Sequence, residues 1–251
     1  MRILKSIGAL SAWTMAIAFA APAQADTFVV YGATGNIGGV IVNEALSRGH
    51  SVIGVSRDPA KLKLDNKNFK AVAGDITDVA SFKKITQGAD AVIISVSGFG
   101  TDSDPRNSIN AKAARTSVEA FTGAAKSPQV IQIGGALTLA ETKEAIEAKM
   151  PPQAKPGTPM YAAFMGQYEA LQIYRASKIR WTVLTPPSEI QGWAMGKPPV
   201  ASRTGKYRTS TSGAVTDANG KSAIDIGDLA VAAVDEAEKH RFVGQRFTVG
   251  Y

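Results

Sequence analysis

The sequence predicts an α/β fold, a doubly wound parallel sheet in a single domain, and three observations carry that prediction. Short Val/Ile-rich runs alternate with stretches of helical periodicity along the chain. The first such run breaks into glycines three residues apart, Gly32, Gly35 and Gly38, and a helical pattern follows at once. The 251 residues, 45% of them hydrophobic, suffice for one sizeable core and are few for two.

The run that begins at Thr27 reads as the first strand. Ile37 to Arg48 carries apolar residues at Ile37, Val40, Ile41 and Leu46, spacing that buries one face of a helix, and Gly49 ends it. Ser51–Val55, Phe69–Ala73 and Ala91–Ser95 read as the second, third and fourth strands, with a helix over Val79–Gln87 before the fourth. Ser108–Ala125 is the next helix, Gln129–Ile133 the fifth strand, Tyr161–Ser177 a helix and Trp181–Leu184 the sixth strand. Their weakly alternating apolar character fits strands covered on both faces. Between Ala136 and Pro159 the pattern weakens into a charged helical piece and four prolines, a surface excursion. Ser188–Gly220, rich in Gly, Pro, Ser and Thr, is a second insertion and reads as a lid over a ligand crevice. Asp225 to Asp228 precedes an Ala/Val-rich helix to about Lys239, and Arg246–Val249 closes the sheet.

A strand, a glycine turn and a helix in that order make a dinucleotide site of Rossmann type. Gly32 permits the tight turn, Gly35 lets backbone approach a pyrophosphate, and Gly38 packs helix against strand. Thr34, Asn36 and Ile37 lie where amides and a hydroxyl meet a diphosphate at the helix N-terminus. The residue after the second strand meets the adenosine ribose, where an acid suits a free 2′-OH and arginine suits a 2′-phosphate. Here the strand ends Val55-Ser56-Arg57-Asp58, so Arg57 favours NADP(H) over NAD(H), with Asp58 the rival ribose ligand. Asp75 is placed to accept the adenine amino group and Ile76 to pack on the ring. Ser95, Val96 and Ser97 follow the fourth strand beside the nicotinamide ribose, and Gly134 brings bare backbone to the reacting face.

Arg2 and Lys5 precede an uncharged stretch with an apolar run, Ile7 to Ala20, that ends in Ala23-Gln-Ala25. This is the pattern of a signal peptide over residues 1–25, and it predicts a periplasmic or secreted protein starting at Asp26. The apolar run is shorter than the ~20 residues that span a bilayer, so no further membrane association is expected. With Arg2 and Lys5 removed, the net charge falls from +7 to +5, which suits anionic small molecules better than nucleic acid. The chain has no cysteine, which excludes disulfides, thiolate nucleophiles and sulfur-ligated metals. His50 and His240 stand apart, are expected at the surface, and make no metal site.

Several motifs together resemble the NADH-flavin reductase family of atypical short-chain dehydrogenases, close to flavin and biliverdin reductases. They are the glycine motif, Gly74-Asp-Ile-Thr-Asp78, Ile133-Gly-Gly135, Trp181-Thr-Val-Leu-Thr-Pro186, Arg203-Thr-Gly-Lys-Tyr-Arg208 and Phe247-Thr-Val-Gly-Tyr251. The likeness runs from about Thr27 to Tyr251, and the signal peptide departs from it. It implies NAD(P)H-dependent hydride transfer to FMN, FAD, riboflavin or a similar small planar acceptor, by a monomer or homodimer. Orthodox short-chain dehydrogenases carry Tyr-x-x-x-Lys, and here only Tyr174 and Lys178 have that spacing, at a helix end remote from the sheet edge. Without the dyad, positioning matters more than acid catalysis. Tyr161 remains a candidate to orient substrate, and Arg203, Lys206 and Arg208 in the lid are candidates for a flavin phosphate. Two other readings stand beside this one: a non-catalytic NAD(P)(H)-binding redox sensor, and a sugar-nucleotide epimerase relative. Protein purified from the envelope is expected to begin at Asp26 on N-terminal sequencing, and an intact Met1 would refute export with cleavage.

Overall fold

The computed structural model describes residues 25–251, so the predicted signal peptide lies outside the described residues apart from its last position. Ten strands and six α-helices follow. In chain order the first half comprises β1 (Thr27–Tyr31), α1 (Asn36–Ser47), β2 (Ser51–Ser56), β3 (Phe69–Ala73), α2 (Val79–Ile85), β4 (Ala91–Ile94) and α3 (Ile109–Phe121). The second half comprises β5 (Gln129–Ile133), α4 (Lys143–Glu147), α5 (Pro159–Arg175), β6 (Trp181–Thr185), β7 (Glu189–Gln191), β8 (Arg208–Ser210), β9 (Ala223–Asp225), α6 (Ile226–Lys239) and β10 (Gln245–Gly250).

Eight strands form one sheet in the order β3-β2-β1-β4-β5-β6-β10-β8. Every pairing is parallel except β10 with β8. The chain winds outward from β1 in one direction and returns through β4 in the other, so the order reverses between β1 and β4. That reversal makes a crevice above the strand carboxyl ends.

Period-two alternation splits the core between the sheet's two faces. Phe28 and Val30 of β1 pack in one cluster with Ile41 of α1 and Leu229 and Val234 of α6. Val29 and Tyr31 pack in the other with Ala113 of α3 and Leu171 and Tyr174 of α5. Each fully buried aliphatic side chain is worth about 1.5–3 kcal/mol, so a strand read on both faces is held doubly.

The expected elements form, with ends shifted by a few residues. The Ser188–Gly220 insertion holds more order than expected. It supplies β7, which pairs with β9, and β8, which edges the main sheet antiparallel to β10. Strands of three residues are too short to show a period, which is why the pattern missed them.

His50 is a correction, because its ring is 4% exposed rather than at the surface. It tilts against Phe28, accepts the Asp26 amide on Nδ1 at 3.2 Å, and meets Glu238 through Nε2 at 2.8 Å. His240 does lie at the surface, in the left-handed conformation that ends α6, with its ring on the Gln129 side-chain carbonyl.

Two buried carboxylates tie α6 to its neighbours. Glu236 accepts from the Gln129 amide at 2.6 Å, the Thr182 hydroxyl at 3.1 Å and the Arg241 and Phe242 amides at 3.0 Å. Asp228 accepts from the Thr204 and Gly205 amides at 2.9 and 2.8 Å, and from the Thr204 and Tyr251 hydroxyls at 2.7 Å. Burial alone would push the Asp228 carboxyl up, but these donors outweigh it and hold it below 3.8. The same balance holds Asp235, bonded to Tyr207 and Arg48, and Glu44, bonded to Arg203 and Arg48, below their ordinary values.

Groups with a depressed folded pKa favour the folded state above their unfolded pKa and lose that contribution as pH falls through the folded value. Thermal denaturation should therefore show a plateau above about pH 5 and a falling melting temperature below about pH 4. Asp228→Asn should cost about 1–3 kcal/mol at neutral pH and flatten the acid limb, and an unchanged limb would show that Asp228 does not set it.

Candidate cofactor site

At the reversal between β1 and β4 the chain turns sharply through Gly32, whose φ of +79° is left-handed. A Cβ there would stand 2.1 Å from the Ser95 carbonyl oxygen, at the end of β4. Gly38, one turn into the helix, is equally constrained, since its Cβ would stand 2.2 Å from the Gly32 carbonyl oxygen. Only glycine brings strand, turn and helix this close.

Gly35 differs, because its Cβ would meet only the Gly32 carbonyl, at 3.2 Å. It stands at the N-cap of α1 and lines the crevice, and no side chain caps the helix. Among the described residues the amides of Thr34, Asn36 and Ile37 have no hydrogen-bond partner. Unpaired amides at a helix N-terminus, under a turn with room for a phosphate, fit the diphosphate of a dinucleotide. The Asn36 side chain is committed elsewhere: it donates to the Lys197 and Ala194 carbonyls at 2.9 and 3.3 Å, tying the insertion to the start of α1.

The crevice has a volume of about 660 Å³, well within the range of ligand sites. Gly32, Thr34, Gly35, Arg57, Asp75, Ile76, Ser95, Val96 and Ser97 all line it, so β1, β2, β3 and β4 each deliver residues to one place. Asn36, Ile37, Gly38 and Gly134 are not part of the lining. Ile37 packs toward the core, and a Cβ on Gly134 would meet Val183 and Thr185 of β6 at 3.0 and 3.1 Å, so that glycine serves strand packing. Ile76 lines the wall while remaining almost wholly buried.

At the end beside β2 and β3, Arg57 is exposed and forms no ion pair or hydrogen bond among the described residues. Its rival Asp58 is occupied, accepting the Ala60 amide at 3.3 Å and pairing with Lys61 at 3.6 Å. Asp75 is held below 3.8, first by the Thr77 amide, then by the Thr77 hydroxyl, with Arg57 and Lys112 adding to the effect. Lys61 and Lys112 also line the crevice and were not singled out in the sequence. Lys61 lies four residues past Arg57 in a short turn, a spacing that could have marked it. Lys112 lies in α3 one turn past the capping Ser108, and only the packing of α3 turns it inward.

At the opposite end the wall is Phe99 together with Pro159, Ala162 and Ala163 from the start of α5. Tyr161 is a correction here. It is not part of the lining, and its hydroxyl donates to the Glu147 carboxylate at 2.5 Å beside Ile146 and Met165. Burial first, and that carboxylate second, push its pKa up to about 12, and its hydroxyl is engaged away from the crevice. Tyr174 is fully buried, donates to Gln132 at 2.9 Å and stacks on Trp181, as a structural residue would.

The insertion corrects a second expectation, because none of its residues lines the crevice. Arg203 pairs with Glu44 at 2.7 Å and Arg208 donates to the Thr216 and Tyr251 carbonyls, while Lys206 is exposed away from the crevice.

A family model described as NAD(P)H-binding matches residues 32–237. The chain belongs to that family. A solved structure of a candidate exported protein from Burkholderia pseudomallei is 28% identical, covers 90% of this chain and all of its own, and has a TM-score of 0.69. A candidate epimerase from Bacteroides thetaiotaomicron is 27% identical over 91% of this chain and 98% of its own, with a TM-score of 0.69. A candidate NADH-flavin reductase from Streptococcus pneumoniae TIGR4 shares the fold at 23% identity, covering 90% of this chain and 99% of its own, with a TM-score of 0.68. The resemblance read from the motifs thus holds at the level of an NAD(P)H-binding protein with a Rossmann-like fold. Among the described residues no helix is long and apolar enough to cross a membrane.

Gly32→Ala and Gly38→Ala should destabilise the fold by about 3 kcal/mol or more, since each new methyl strikes backbone. Gly35→Ala should melt within a few degrees of wild type yet bind NAD(P)H much more weakly. Thermal melts beside cofactor titrations check both, and equal losses of stability in the three variants would refute the distinction.

Proposed function

We propose that the protein is an exported NAD(P)H-dependent oxidoreductase that reduces flavin or a similar planar acceptor. One observation carries this reading: a dinucleotide crevice whose α5 wall presents Pro159, Ala162 and Ala163, none with a transferable proton, while Tyr161 turns away to Glu147. Ketone reduction needs an acid beside the developing alkoxide, whereas a flavin or quinone ring delocalises the incoming charge. NAD(P)H, when bound, would supply a hydride to the acceptor ring, and solvent would supply the proton that completes the two-electron reduction. The chain's own work is to hold the diphosphate at the Thr34–Ile37 amides and to position the acceptor against the wall of Pro159, Ala162 and Ala163.

Arg57 favours NADPH, because an unpaired guanidinium beside the ribose suits a 2′-phosphate while the rival Asp58 is already engaged with Lys61 and the Ala60 amide. The basic, apolar and small-residue pattern of residues 1–25, and the 28% identical relative described as a candidate exported protein, support export to the periplasm or medium. A small-molecule acceptor is the partner, and a monomer or homodimer is sufficient, since the crevice is complete within one chain.

The chain from Asp26 onward should oxidise NADPH in the presence of riboflavin, FMN, FAD or a quinone, followed by absorbance. Arg57→Ala should raise the KM for NADPH about tenfold with little change for NADH. Binding of NADPH without oxidation by any of these acceptors would overturn the enzyme reading in favour of a non-catalytic redox sensor.

A further inference from the structure

The two ends of the crevice differ in chemistry. Arg57 and Lys112 act on Asp75 at one end, and Lys61 lines the same crevice. At the other, the loop after β4 presents Phe99, a lining residue that is 56% exposed. Its ring stands edge-on to Phe164 of α5, 6.2 Å between centroids at 77°, so one edge is braced while the rest is left open. Gly98 and Gly100 flank it, with nothing closer than 3.9 Å to their Cβ positions, so the backbone on either side of Phe99 is uncrowded. An aromatic side chain held open at a concave wall is a stacking platform awaiting a planar partner.

The charges at this end are mixed, and among the described residues the Asp102 carboxylate is the one without a cationic partner. Asp102 lines the crevice and accepts the Asp104 amide at 2.8 Å. The nearby cations are engaged, Arg106 with Asp104 at 2.7 Å and Arg115 with the Arg106 carbonyl. Lys112 acts on Asp75, toward the nucleotide end.

We propose that Phe99 is the floor of the acceptor subsite and that this subsite selects uncharged planar rings, riboflavin or a quinone, over the phosphorylated flavins FMN and FAD. The proposal rests on the reductase reading above and deepens it by naming the acceptor class. An isoalloxazine or quinone ring stacks on Phe99 beside the apolar Ala162–Ala163 shelf. The phosphate of FMN would approach the unpaired Asp102 carboxylate, where like charges oppose one another, while the unpaired Lys112 lies toward Asp75.

The test is a titration of riboflavin and FMN into the NADP⁺-loaded protein, followed by quenching of flavin fluorescence, alongside steady-state NADPH oxidation. Riboflavin should bind about fivefold more tightly than FMN at low salt, and Asp102→Asn should narrow that gap. Phe99→Ala should weaken riboflavin binding roughly three- to tenfold and raise its KM with kcat nearly unchanged. NADP⁺ affinity should stay within about twofold in that variant, and Phe99→Trp should restore riboflavin binding. Riboflavin binding that ignores Phe99→Ala, FMN binding tighter than riboflavin, or no riboflavin binding by the wild type would each overturn the subsite. Phe99-dependent binding without any NADPH oxidation would instead refute the reductase reading and leave the subsite standing.

Discussion

The close approach of the Gly32 turn to the end of β4 is the constraint on which the rest of the site depends. With a Cβ at Gly32 only 2.1 Å from the Ser95 carbonyl, the turn and β4 could not coexist with any other residue there. Because they do, the start of α1 lies directly above the point where the sheet order reverses, and the segment Ser95–Ser97 runs past it. The crevice is a consequence of that approach. Phosphate recognition by bare amides needs the backbone itself to be exposed, and glycine is the residue that exposes it.

Around this turn the fold relies on pairing charges rather than on leaving them free. Arg48 meets Glu44, Asp235 and Glu238, and Arg203 adds a second cation to Glu44, which clamps α1 to α6 and to the insertion. Asp228 and Glu236 are buried, and each is surrounded by donors, so neither carries an uncompensated charge. Against that background Arg57 and Lys112 stand out, because both line the crevice and neither side chain forms an ion pair or hydrogen bond among the described residues. Groups that structure does not consume are the ones left for a ligand.

Most of the architecture was legible in the chain. Strands such as Val29–Val30 and Val92–Ile94 are apolar on successive residues because both faces are covered, and the glycine spacing placed the turn between the first strand and helix. The insertion was less legible. Its Gly, Pro, Ser and Thr content read as a lid, yet its polar groups go to Asn36, Asp225 and Asp228, which seat it beside α1 and α6 instead of over the crevice. Composition reports that a segment is irregular, while long-range hydrogen bonds decide where it rests.

The sequence by itself determined the doubly wound sheet, the dinucleotide turn and the arginine at the end of β2, because each follows from residues adjacent along the chain. Only the tertiary structure decided which side chains share the crevice. It turned Tyr161 to Glu147, buried His50 beside Phe28, moved Gly134 into strand packing and brought Lys112 and Phe99 to the site from opposite sides of one loop. Those outcomes depend on the rotation of helices and the path of loops about the sheet, which contacts between residues far apart in the chain set and which no local spacing encodes.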